Sequence, residues 1–157
     1  MKNLRAKTLI LGVGNILLRD EGIGVRVIEY LRQQTLPEGV EIVDGGTAGA
    51  DLIDVLADRE TVIVVDAVHS DKPAGTLLRF GPDDLALQQD NPLSLHDLDI
   101  PQTLAMTKML NCEPKNVICF GVVPKCIEPG MELSDEIAEI IPILAEKALE
   151  EALVVPS

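Results

Sequence analysis

Residues 7–13 read KTLILGV and residues 14–31 continue GNILLRDEGIGVRVIEYL. The first run is short, apolar and without polar alternation, which suits a strand covered on both faces in a parallel sheet. The spacing then changes. Ile23, Val27, Ile28 and Leu31 recur at helical intervals, and Asp20 and Glu21 stand where the positive end of a helix dipole favours acids. The same strand-then-helix order repeats downstream. Residues 40–44 form a second strand broken by Gly45-Gly46, and Thr47 can cap a helix running to Leu56. Residues 61–66 (TVIVVD) form a third strand. Residues 75–80 (GTLLRF), entered from Pro73-Ala74, suit a sheet edge, where antiparallel pairing is allowed. Residues 101–110 form a helix and residues 116–123 (NVICFGVV) a last inner strand. Residues 134–153 form a closing helix with Ile137, Ile140, Ile141, Leu144 and Ala148 inward and a kink at Pro142. Alternating elements of this kind predict an α/β fold: a single-domain three-layer sandwich over residues 1–157, with a mainly parallel twisted sheet of about five strands and helices on both faces.

Composition agrees. At 157 residues, 46% of them hydrophobic and 25% charged, the chain has the size and make-up of one soluble globular domain. Its aromatic residues are Tyr30, Phe80 and Phe120 and it has no Trp, so the core must be aliphatic. Thirteen Lys and Arg against 26 Asp and Glu give a net charge of -13. That charge repels phosphate backbones and anionic lipid headgroups, which argues against nucleic-acid and membrane-surface roles. No apolar run approaches the ~20 residues of a spanning helix. Met1-Lys2-Asn3-Leu4-Arg5 leads straight into the first strand rather than into a signal-peptide core, so a cytoplasmic location is expected. Cys112, Cys119 and Cys126, seven residues apart, match neither a disulfide framework nor a C-x-x-C knuckle, and reduced thiols are expected.

Ligands of open α/β sheets bind beyond the carboxyl ends of the strands, where strand order reverses. That edge holds residues 12–24, 44–49, 66–70 and 122–130. If strands one and three are neighbours, Glu21 and Asp66 face one crevice. Gly12 and Gly14 invite a dinucleotide reading, but Leu17 stands where a third glycine would let helix and strand pack, and the acids at the helix start oppose a phosphate. Read locally, the glycines make a tight turn and Glu21 adds ~0.3–1 kcal/mol against the helix dipole. Asp66 is harder to place, because a carboxylate closing an apolar strand must be solvated, capped or paired. The two histidines are His69, just beyond it, and His96. One Glu, one Asp and one His would suit a borderline divalent metal such as nickel, zinc or manganese, and spacing does not choose between the histidines. There is no G-x-S-x-G elbow, and Ser70 beside His69 on an extended segment points to the other face.

Residues 12–25 (GVGNILLRDEGIGV) resemble the opening signature of the nickel–iron hydrogenase maturation endopeptidases. Asp44-Gly45-Gly46-Thr47 resembles that family's D-G-G-T segment, Val64-Val65-Asp66-Ala67 its central strand end, and Gly121-Val-Val-Pro124 through Glu128-Pro129 to Leu133-Ser134 its C-terminal pattern. The four pieces occur in order, from about Leu9 to the last helix. The resemblance implies an endopeptidase that removes the C-terminal peptide of a [NiFe]-hydrogenase large-subunit precursor once nickel is inserted. It implies a triad of Glu21, Asp66 and His96 that is both catalytic and metal-binding, with nickel supplied by the precursor and other divalent metals able to occupy the site. It favours His96 over His69 because the family histidine lies in a Ser-x-His-like loop before a helix. Asp97 departs from the pattern, since family members often carry Gln or another neutral residue there. Asp44, Gly45 and Gly46 take a substrate-contact role by the same resemblance, or else form a glycine turn feeding Thr47. The implied partner is the precursor, met by a monomer. Two rival readings are a nucleotide-binding α/β module and a non-catalytic nickel metallochaperone.

Overall fold

The opening apolar run forms the strand β1 (Thr8–Gly12), and the structure, a computed structural model, describes residues 6–45, 52–81, 94–95 and 100–154. A 3-10 turn (Arg19–Gly22) leads into α1 (Ile23–Leu31), followed by β2 (Val40–Asp44), α2 (Leu52–Leu56), β3 (Thr61–His69) and β4 (Leu77–Phe80). A two-residue strand β5 (Ser94–Leu95), α3 (Ile100–Met109), β6 (Asn116–Val122), α4 (Asp135–Ala138) and α5 (Ile141–Ala152) complete the order.

The main sheet runs β2-β1-β3-β6-β4, with β5 off this path against the end of β3. β1 pairs in parallel with β2 on one side and β3 on the other, Thr8 standing opposite both Val40 and Thr61. The connection after β1 thus goes one way and the next the other, so strand order reverses between β1 and β3. β6 continues the parallel sheet, and β4 closes the edge antiparallel to it, Leu77 opposite Val122. The expected parallel sheet with one antiparallel edge is therefore the observed one.

Alternation along each strand sends side chains to two separate cores. Ile10, Ile63, Val65, Phe120 and Val122 pack with Val27, Ile28 and Leu31 of α1 and with Leu144, Ala145 and Ala148 of α5. Leu9, Leu11, Val62, Val64 and Cys119 pack with Leu52 and Leu56 of α2, and half-buried Leu104 of α3 lies against them. Both faces of the inner strands are covered, which is why they read as continuous apolar runs. Among the described residues, no helix is long and apolar enough to cross a membrane.

Four expectations change. The first helix begins at Ile23, after a separate 3-10 turn that carries Asp20 and Glu21. The third strand does not stop at Asp66 but runs to His69, because its last two residues find new partners in β5. The closing segment is two helices, not one kinked helix: Pro142 lies in the first turn of α5, where its missing N–H has no intrahelical partner to lose. The glycine that lets helix approach strand is Gly24 rather than a residue at position 17. A Cβ on Gly24 would overlap the carbonyl oxygens of Val13 and Val65, whereas Leu17 is 58% exposed. Thr47 lies outside the described residues.

Candidate active site

β1 parts from β3 after Gly12, which pairs with Val65, and the Val13 N–H makes a last bond to the Val65 carbonyl at 3.0 Å. Asp66 is therefore the first residue of β3 beyond β1's register, still paired on its other side with Gly121 of β6. It is fully buried, and its Oδ1 accepts the N–H of Ala67 at 2.7 Å. Gly14, at φ +130°, threads past it: a Cβ there would overlap the Glu21 carbonyl and stand 3.2 Å from Asp66 Oδ1. Only a residue without a side chain lets the Glu21 turn sit this close to the Asp66 carboxylate. Glu21 is itself 1% exposed. At the reversal of strand order the Gly14 backbone thus lies between the carbonyl of Glu21 and the carboxylate of Asp66, both of them buried residues.

His69 joins from the strand end, its Nε2 3.0 Å from Glu21 Oε1. It has the parity of Val65 and Ala67, which face α1, and Glu21 approaches from the turn that opens α1. The Ser70 Oγ accepts the Lys72 N–H at 3.2 Å. β5 pairs Leu95 with Val68 and Ser94 with His69. His96, the residue that follows, lies outside the described residues, as does Gly46. Among the described residues no three of His, Cys, Asp and Glu form a group that could hold a metal ion. Asp44 ends β2 opposite Gly12, exposed and on the far side of β1 from Asp66, and the Gly45 N–H donates to the Gly12 carbonyl at 2.8 Å.

From the sequence Asp20 is an acid favoured by the helix dipole, and the structure gives it a larger part. Asp20 is fully buried. Its Oδ2 accepts the N–H groups of Lys125 and Cys126 at 2.9 and 2.8 Å and the Ser134 hydroxyl at 2.7 Å, and its Oδ1 accepts the Ser134 N–H at 2.7 Å. Arg19, at φ 52°, extends the same seam: its Nε donates to the Glu132 carbonyl at 2.9 Å and its guanidinium reaches Cys126 Sγ at 3.3 Å. The turn bearing Glu21 is thereby fastened to the segment after β6. These partners lie 105 to 114 residues further along the chain, so no local spacing could have announced them. Of the cysteines, Cys119 is buried, whereas Cys112 and Cys126 are half-buried, and no disulfide joins them.

Comparison with known proteins gives the same picture. A family model described as "Hydrogenase maturation protease" matches residues 25–151. The hydrogenase 2 maturation protease of Escherichia coli K12 is 40% identical over 149 residues, covering 94% of this chain and 88% of that protein. The solved structure of the hydrogenase maturating endopeptidase HybD from E. coli superposes with a TM-score of 0.79 at 38% identity, covering 94% of this chain and 90% of that one. The solution structure of an endopeptidase from E. coli gives a TM-score of 0.82 at 37% identity, with 94% of each chain covered. The chain belongs to the hydrogenase maturation protease family and is, by that membership, a peptidase.

Proposed function

We propose that this protein removes the C-terminal peptide of a [NiFe]-hydrogenase large-subunit precursor after nickel insertion, engaging the precursor's nickel through Glu21, Asp66 and His96. The observation that supports this reading is the burial of Glu21 and Asp66 on either side of the Gly14 backbone at the reversal of strand order. Burying two carboxylates at one sheet edge is costly, and a divalent cation presented to them would relieve that cost. Carboxylate oxygens with an imidazole nitrogen suit a borderline metal of the nickel type. Nickel belongs to the substrate here. Bound to the carboxylates, it would hold the precursor's metal-site segment, and with it the scissile bond, against the sheet edge. The metal then acts as a checkpoint, so that a precursor lacking it is not docked and keeps its tail. The sequence has no G-x-S-x-G elbow, which favours a route in which the metal, not a covalent nucleophile, assists hydrolysis.

The test is to incubate nickel-loaded precursor with wild type and with Glu21→Gln, Asp66→Asn and His96→Ala, and to follow C-terminal shortening by mass spectrometry. Wild type shortens the precursor and each variant is severely impaired. Normal processing by all three variants would remove the triad. Nickel or precursor binding without any shortening by wild type would instead identify a metallochaperone.

A further inference from the structure

Glu21 has a partner that the triad leaves out. We propose that His69 is a positioning residue for Glu21: its ring N–H holds the carboxylate in the orientation that meets the precursor's nickel. This rests on the reading of Glu21 as a metal contact.

The Nε2 to Oε1 separation is 3.0 Å. An ionised carboxylate offers acceptors only, so the bond requires the proton on Nε2. The glutamate side chain is 2% exposed and the imidazole 31%. A ring that exposed is not filling a core; it borders the crevice and spends its polar edge on a buried oxygen. Its backbone is well placed for such a task. His69 is the last residue of a nine-residue strand whose preceding eight residues are buried, and it is paired in register with Ser94 of β5. Glu21, by contrast, stands on a four-residue 3-10 turn, with a side chain whose rotamer freedom costs free energy to fix. Fixing it from a rigid strand end orients the oxygens before substrate arrives. Donors of this kind to a metal-ligating carboxylate set its orientation, and their removal costs about 10–100-fold in metal affinity or activity. β5 also ends directly before His96, so the strand that anchors His69 also anchors the segment leading to the triad histidine.

Two variants separate this role from metal ligation and from simple packing. His69→Leu keeps the bulk and removes the donor. His69→Gln keeps an N–H able to reach the same oxygen but removes the imidazole. With nickel-loaded precursor, His69→Leu lowers kcat/KM by about 10–100-fold in protein that still melts cooperatively above the assay temperature, and His69→Gln restores most of the loss. Full activity in His69→Leu, or equal loss in both variants, would overturn the proposal, the second result showing that the imidazole itself is required. A second readout needs no precursor. In histidine-¹⁵N-labelled protein free of metal, the His69 Nε2–H is a slowly exchanging signal that disappears in Glu21→Ala. A ring protonated at Nδ1, or a signal indifferent to Glu21→Ala, would overturn the proposal. Failure of wild type to shorten the precursor would defeat the proposed function instead, and the ring signal tells the two failures apart.

Discussion

Asp20 and Glu21 are adjacent, both buried and both acidic, yet they have different partners: Glu21 meets the His69 ring, and Asp20 the segment after β6. Asp20 accepts four hydrogen bonds from Lys125, Cys126 and Ser134 and so satisfies donors that folding has removed from water. Asp20→Ala leaves the two buried Ser134 donors without an acceptor and frees the half-buried N–H groups of Lys125 and Cys126, and should lower the unfolding free energy by at least about 2 kcal/mol in urea titration, given about 1–3 kcal/mol for each unsatisfied buried group. Ser134→Ala removes one bond of the four and should cost about 1 kcal/mol. A loss no larger for Asp20→Ala than for Ser134→Ala would show that the seam is not what fastens the turn. Arg19 completes the seam at the expense of a left-handed backbone, which costs a non-glycine residue roughly 1–2 kcal/mol. Its bonds to Glu132, Cys126 and Gly130 offset that. At Gly14 both the positive φ and the contact with the Glu21 carbonyl exclude a side chain. Gly14→Ala should therefore displace the Glu21 turn and abolish precursor shortening while the sheet still folds, as far-ultraviolet circular dichroism would report.

The inner strands β1, β3 and β6 were legible in the sequence because each is covered on both faces, which leaves a continuous apolar run; the ends of elements were less so. β3 was read as closing at Asp66, the first polar residue after the run, but β5 supplies ladder partners for Val68 and His69 and carries the strand on. That extension is what brings His69 to Glu21, and no spacing in residues 61–70 encodes a partner at residues 94–95. The motif glycines were legible as a turn but not as packing. Gly24 could be recognised as the close-approach glycine only once α1 was seen lying over Val13 and Val65. The placing of Glu21 and Asp66 at the reversal of strand order was legible from strand-end position, whereas the choice of His96 rested on family resemblance alone and that residue lies outside the described ones. Pro142 was read as a kink because residues 134–153 keep one helical periodicity across the break between α4 and α5. Since the proline in fact opens α5, Pro142→Ala should change stability by less than about 1 kcal/mol and in the destabilising direction, through greater freedom of the unfolded chain. Clear stabilisation on thermal melting would indicate a strained kink instead.

At the scale of the whole molecule, a net charge of -13 on 157 residues produces self-repulsion in the compact state. Salt at about 0.15 M shortens the screening length to about 8 Å, so the melting temperature at neutral pH should rise from low salt to that concentration. A fall would mean that local pairs such as the buried Arg59 with Glu41 outweigh the repulsion. The same charge adds to the cost of burying Glu21 and Asp66 at one sheet edge, which the cation proposed to arrive with the substrate would offset. The central claim is that the peptidase reads nickel in its precursor through this pair. The most direct test is the intact mass of nickel-loaded and nickel-free precursor after exposure to wild type and to Glu21→Gln. The account predicts loss of the C-terminal peptide only from nickel-loaded precursor and only with wild type. Equal shortening of both precursor forms by wild type, or undiminished shortening by Glu21→Gln, would contradict it.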